Sequence, residues 1–251
     1  MTTPADDLAA ALATAHETAT AVDPTTVPTV DSVAAGYRVQ ERLVERLQTT
    51  RGAPVGYKIG FTNDRVRRDL GVDEPGYGRL LADTVSSSPT AVSADRFVDV
   101  RVEPELAFRL GSDLSAGSTR RDAREAVSAV VPAIELVDSR TGWTFDAALA
   151  VADNSLDAGL VVGDDVDPAG IALADESVTL RIEGSPVDSG VGADVLGHPL
   201  AALTWLADEV GGLAAGTLVT TGSLTEPVAV EAGESVVAAF ASLGTVELRI
   251  E

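Results

Sequence analysis

The chain has 251 residues, enough for one domain with a sizeable core, and its hydrophobic share of 45% is that of a globular protein and not of a disordered one. Asp and Glu outnumber Lys and Arg by 39 to 18; the net charge of -21 argues against nucleic acid and anionic membranes as partners and suggests a protein adapted to high salt. There are no cysteines, which excludes disulfides, thiolate nucleophiles and thiolate metal sites.

The opening "MTTPADDLAA" is acidic where a secretory signal is basic. No apolar run approaches the roughly 18 to 20 residues that a membrane span needs, so the expected location is the cytoplasm. Residues 1–50 read as a helical segment. It is Ala-rich from Pro4 to Leu47 and is broken by the Thr/Pro stretch from Asp23 to Ser32. Val33, Tyr37, Val44 and Leu47 then recur at helical spacing behind a cap at Asp31 or Ser32. His16 falls in the first helix, outside any motif.

From Arg51 the texture changes to short apolar runs divided by Gly, Pro, Asp and Ser, and residues 51–251 read as one body. "RFVDVRVEPELAFRL", "AGLVVG", "SVTLRIEG", "GTLVTTG" and "GTVELRIE" predict strands, whereas "STRRDAREAVSAV" and "HPLAALTWLADEV" predict helices. The expected class is α+β with a β-rich body. His198 stands before a proline that opens the last helix, a place for a structural hydrogen bond.

Three places carry chemistry. "VGYKIGFT" holds the only lysine of the chain, Lys58, between two glycines in an apolar stretch where an ammonium is costly. In "VDVRVEPELAFRL" alternation sets Glu103 and Glu105 on one face, their Cβ atoms roughly 7 Å apart, and Pro104 hints at an edge or a bulge. Glu135, in "VVPAIELVD", is surrounded by apolar residues and needs a partner, either an arginine such as Arg140 or a metal. Three carboxylates gathered from two strands repel one another unless a divalent ion sits between them, and an all-oxygen site suits Mg²⁺ or Mn²⁺.

The segments "GYKIGFTN", "LGVDEPGYGRLLAD", "RVEPELAF", "VPAIELVDSR", "VADNSLDAG", "LGHPLAALTWLA" and "VTTGSLTEPVAV" occur in an order and spacing that resemble the 2-keto-4-pentenoate hydratase branch of the fumarylacetoacetate hydrolase superfamily, from about residue 30 to the end. The resemblance implies a β-rich roll of that family's kind behind an N-terminal helical extension. It also implies homo-oligomerisation and a Mg²⁺ or Mn²⁺ ion held by Glu103, Glu105 and Glu135. Lys58 and Ser155 would line the pocket for a 2-oxo or 2-hydroxydienoate acid, Thr221 to Ser223 would offer backbone donors, and Asp153 and Asn154 would build the turn that presents Ser155.

The implied reaction is hydration of a 2-hydroxy-2,4-dienoate, with 4-oxalocrotonate-type decarboxylation as the alternative. One departure bears on that choice. Hydratases of the group usually carry an aspartate where "VDEPGYG" has Gly76, and the decarboxylases lack it, so hydration here calls for another proton carrier, such as Asp83 or water bound at the metal. Acylpyruvate hydrolysis would need a His/Glu pair that the body of this chain does not offer. A non-catalytic homologue that binds 2-oxo acids or metal would be expected to have lost one of Glu103, Glu105, Glu135 or Lys58. Glu226 departs from the glycine/proline character of its loop.

Overall fold

The computed structural model describes residues 3–251. Helix α1 (Pro4–Thr18) starts on a reciprocal cap, in which the Asp6 N–H donates to Thr3 Oγ1 at 3.2 Å and the Thr3 N–H to Asp6 Oδ2 at 3.0 Å, with Pro4 in the first helical position. For helix α2 (Val33–Arg51) Ser32 is the cap, its hydroxyl accepting from the Ala35 N–H at 3.3 Å. The two helices bury Leu8, Leu12, Leu43 and Leu47 together with Leu81 and Ala152 of the body. A side chain at Gly36 would collide with the Ala148 carbonyl, so the glycine lets α2 lie directly on a body helix.

After α2 the chain runs through β1 (Pro54–Gly60), α3 (Asp64–Leu70), β2 (Gly76–Leu81), β3 (Val85–Ser87), β4 (Thr90–Val92), β5 (Arg101–Leu110), α4 (Arg120–Ala126), β6 (Val127–Val137), α5 (Ala147–Ala152) and β7 (Asp157–Val162). It continues through β8 (Ser177–Ile182), β9 (Ser185–Val191), α6 (Pro199–Val210), β10 (Leu218–Ser223), β11 (Val228–Ala229), β12 (Ser235–Phe240) and β13 (Gly244–Ile250). One sheet has the order β2-β1-β10-β5-β6-β7-β3, with β11 added to β5; the other has the order β4-β13-β12-β8-β9. Leu106, Phe108 and Ile134 of the first sheet share a core with Val236 and Leu248 of the second and with Leu203 and Leu206 of α6. The chain has the α+β class expected from its strand-rich body. None of the described helices is long and apolar enough to cross a membrane.

Two local expectations need correction. The helix expected over "STRRDAREAVSAV" stops at Ala126, and its last four residues open β6. Burial there alternates, Val127 in, Ser128 out and Ala129 in, and the β-branched residues pair along β5, so tertiary pairing overrides the helical pattern. Of the edge or bulge expected at Pro104, the edge is the part that fails: Pro104 lies in β5 at the centre of the sheet, between the last pairing with β10 (Ser223 with Glu105) and the first with β11 (Val228 with Val102), next to the register irregularity between Thr220 and Ser223. A missing N–H is tolerated where the ladder is already interrupted.

Candidate active site

The central pair of strands builds the acidic floor. β5 and β6 run antiparallel with Glu103 directly opposite Glu135, and Glu105 follows two residues on, on the same face. Glu105 and Glu135 are fully buried, and one carboxylate oxygen from each of the three residues lies within 4.8 Å of the others. The Gly222 N–H donates to Glu105 Oε2 at 2.9 Å. Glu105 Oε1 and both oxygens of Glu135 have no hydrogen-bond partner.

Lys58 reaches the same point from β1. Its ammonium is buried, 3.2 Å from Glu135 Oε1, and donates to the Ser155 carbonyl at 3.0 Å. The alternative pairing of Glu135 with Arg140 is not made, because Arg140 donates from Nε to Asp153 Oδ1 at 2.8 Å and from Nη2 to the carbonyls of Asp153 and Asp157 at 3.0 and 3.1 Å. Asn154, Ser155 and Leu156 all have left-handed backbone, with φ of 52°, 52° and 67°. Each such residue costs roughly 1–3 kcal/mol and persists only where its surroundings hold it. Arg140 grips both ends of this turn; Asn154 is fixed to β2 by a donor and an acceptor on Arg79 (3.0 and 2.8 Å), and the Ser155 hydroxyl donates to the Tyr77 carbonyl at 2.7 Å. The turn presents Lys58 with a backbone carbonyl, not a hydroxyl.

Burial is the dominant influence on every carboxylate of the floor. It pushes Glu103 up to about 7 against the opposing pull of Lys58, and it raises Glu105 and, further, Glu135. Burial also works against the Lys58 ammonium, but Glu135, Glu103 and Glu105 outweigh it and hold the lysine above its usual range. Two buried carboxylates and the partly buried Glu103 against one ammonium leave a deficit of positive charge. Unpartnered buried oxygens of hard, anionic character at this spacing fit Mg²⁺ or Mn²⁺.

A cavity of about 290 Å³ opens onto this floor and is lined by Lys58, Glu103 and Ser155. Asp83 is not brought there: it is exposed, in the short turn after β2, with its carboxylate toward Gly52. Thr221 is fully buried, but its hydroxyl donates to the Leu106 carbonyl at 3.0 Å and it does not line the cavity. Its neighbour Gly222 supplies the backbone donor of this segment, and that donor goes to Glu105. A side chain at Gly222, φ 103°, would collide with Thr62, which explains why "TTG" carries a glycine there. Trp143 and Phe145, which line the cavity, were not singled out from sequence.

Gly76 starts β2 beside the ring of Phe61, and a Cβ there would sit 2.9 Å from the ring edge. Phe61 occupies the space that an acidic side chain would need. Gly76→Asp is therefore expected to displace a wall of the cavity and not to raise turnover of the dienol that the resemblance implies; a rise in kcat for loss of the dienol chromophore would show that a missing carboxylate is limiting.

The N-terminal helix contributes to the same turn. His16 Nε2 lies 3.0 Å from Asp153 Oδ1, and the Arg140 N–H donates to Asp153 Oδ2 at 3.0 Å. Burial, reinforced by Arg140, pushes His16 down to about 4, so at neutral pH the ring is uncharged and donates from Nε2. With the folded value below the unfolded value of about 6.5, this group's contribution is full above pH 6.5 and is lost as pH falls toward 4, on the order of 3 kcal/mol. Urea midpoints between pH 7 and 4.5 are expected to fall more steeply for the native chain than for His16→Gln. Equal slopes would contradict the assignment.

His198 Nδ1 accepts from the Leu200 N–H at 3.1 Å and caps α6, as its position before Pro199 suggests.

A family model described as the C-terminal domain of fumarylacetoacetate (FAA) hydrolase matches residues 67–251. A "TodF product hydratase" of Pseudomonas putida is 36% identical over 219 residues, which cover 84% of this chain and 82% of that protein. A 2-keto-4-pentenoate hydratase of Paraburkholderia xenovorans is 33% identical over 227 residues, covering 88% and 84%. Among solved structures, 4-oxalocrotonate decarboxylase from Pseudomonas putida G7, complexed with magnesium and adipate, superposes with a TM-score of 0.91 at 28% identity, covering 98% of this chain and 97% of that one.

Proposed function

This chain belongs to the fumarylacetoacetate hydrolase family, and from that premise we propose that it is a metal-dependent hydratase acting on a 2-hydroxy-2,4-dienoate of the 2-keto-4-pentenoate type. The product would be a 4-hydroxy-2-oxo acid formed during breakdown of the products of aromatic ring cleavage. The observation that carries the reading is the set of unpartnered buried oxygens on Glu105 and Glu135, facing Glu103 and a buried Lys58 at the base of a cavity.

Glu103, Glu105 and Glu135 would hold the cation. A divalent ion bound there would supply Lewis acidity toward the 2-oxygen of the substrate. Lys58 has three donors, of which the Ser155 carbonyl takes one while Glu135 lies 3.2 Å away as an ion pair, and the remainder are available for the substrate carboxylate or for a proton in transit at Nζ. The strained turn fixes the Ser155 carbonyl and, through it, the direction of the ammonium. Ketonisation of the dienol moves its hydroxyl proton to the far carbon of the diene, and water then adds across the remaining conjugated double bond, its oxygen to C4 and its proton to C3. The apolar walls keep bulk water from the ammonium and the carboxylates, which strengthens every charge interaction among them.

Decarboxylation of a 2-oxo-3-hexenedioate is the second reading, favoured by Gly76 and by the likeness to a decarboxylase structure. Both readings take the working form to be a cytoplasmic homo-oligomer, assayed in high salt because of the acidic surface. The test is to incubate purified protein and Mg²⁺ with 2-hydroxypenta-2,4-dienoate and, separately, with the hexenedioate. Hydration of the first without CO₂ from the second is the expected result; CO₂ release without hydration would transfer the proposal to the decarboxylase.

A further inference from the structure

We propose that a second site, at the joint between the N-terminal helices and the body, binds one small monovalent anion of the halide class between Arg51, Arg96 and Arg140. The anion would tie the ends of α1 and α2 to Arg140, and through it to the turn that carries Ser155. The proposal stands apart from the reading of the glutamate floor and needs no metal there.

In a chain with 18 Lys and Arg against 39 acidic residues, three arginines from distant segments line one small cavity together with His16. Arg51 closes α2, Arg96 lies between β4 and β5, and Arg140 follows β6. Like charges repel, so their meeting is costly unless something between them is negative. Arg51 shows the cost: burial, with Arg140 and Arg96 beside it, holds its guanidinium below the usual range. Its Nη2 donates to the His16 carbonyl, a neutral acceptor. The Arg96 side chain is exposed and has no hydrogen bond or ion pair among the described residues.

The acids nearby do not fill the gap. Asp138 is the one acid that lines the cavity, and its two oxygens accept the backbone N–H groups of Val98 at 2.9 Å and Asp99 at 2.8 Å. Asp153 is taken by His16 and by Arg140 Nε. Asp157 and Glu17 favour the charge on Arg51, but neither lines the cavity or forms an ion pair with it. Arg140 is itself buried, and its Nη1 is the one guanidinium nitrogen without a hydrogen bond among the described residues, 4.0 Å from Asp138 Oδ2. The cavity measures about 10 Å³, room for one water-sized species and too little for a polyatomic anion. Its outer wall, the exposed Arg96, can yield to an ion slightly larger than water. A halide supplies the charge that the cluster lacks, and a water molecule does not.

The test follows thermal unfolding of the full chain as sodium chloride replaces sodium isethionate at constant ionic strength. The melting temperature should rise saturably, by at least about 3 °C across the titration. Arg96→Gln changes an exposed side chain and should fold; it is expected to lose at least about half of the rise. Arg121→Gln, an exposed arginine that does not line the cavity, should keep it and so report the general effect of salt. Crystals soaked in sodium bromide should show anomalous density between the three guanidinium groups. No rise with chloride, an equal rise in Arg96→Gln and the native chain, or a bromide soak that leaves only water in the cavity would each overturn the proposal.

Discussion

Lys58→Arg and Lys58→Met are both expected to fold and to lose at least about 10²-fold in kcat/KM, or roughly 2.7 kcal/mol of transition-state stabilisation. The arginine variant is the informative one because it keeps the charge. Lys58 Nζ is confined between the Ser155 carbonyl at 3.0 Å and Glu135 at 3.2 Å, and even a Cβ on Gly60 would sit 3.4 Å from it. A planar guanidinium is broader, and it cannot give up a proton near neutral pH. The carbonyl cannot retreat, since the turn that carries it is gripped by Arg140 and Asn154. Methionine fills the volume but leaves Glu135 with no cation. Turnover at saturating Mg²⁺ in high salt, with circular dichroism to confirm the fold, decides the matter: an arginine variant within a few-fold of the native chain would reduce Lys58 to an anchor of charge.

The second large effect concerns the floor. Glu103→Gln, Glu105→Gln and Glu135→Gln should each weaken Mg²⁺ or Mn²⁺ binding at least about 100-fold, because loss of a ligand should cost no less than the 10- to 100-fold typical for residues that merely orient ligands. Glu135 should be the most sensitive, since neither of its oxygens has another hydrogen-bond partner. Each variant relieves repulsion among buried carboxylates, so without metal Glu105→Gln and Glu135→Gln should be at least as stable to heat as the native chain. Titration calorimetry and thermal melts separate these effects. Unchanged affinity in all three variants would return the glutamates to a structural role.

The gathering of the three glutamates was legible because its grammar is local. Two glutamates in alternation and one glutamate in an apolar run point to a shared, costly burial, and an only lysine between glycines points to a confined ammonium. What could not be read was which partners would be chosen across the chain. Arg140 stands five residues from Glu135, yet it binds Asp153, because β6 ends at Val137 and the chain turns toward Leu156. Ser155 was visible as a residue, but that its carbonyl meets Lys58 while its hydroxyl turns to the Tyr77 carbonyl depends on a left-handed backbone that sequence spacing does not encode. His16 looked detached for the same reason: its partner lies 137 positions away. Asp83 shares a motif with the pocket residues and still faces solvent, because a short turn after β2 carries it past the sheet edge.

The central claim is that three carboxylates and Lys58 form one metal-dependent site for a 2-hydroxydienoate. The most direct measurement follows loss of the 2-hydroxypenta-2,4-dienoate chromophore by the chelator-treated protein as Mg²⁺ is added back. The expected result is no turnover before addition, and a rise whose half-point coincides with the calorimetric Kd for Mg²⁺. Full turnover in excess chelator, at the rate seen with Mg²⁺, would contradict it.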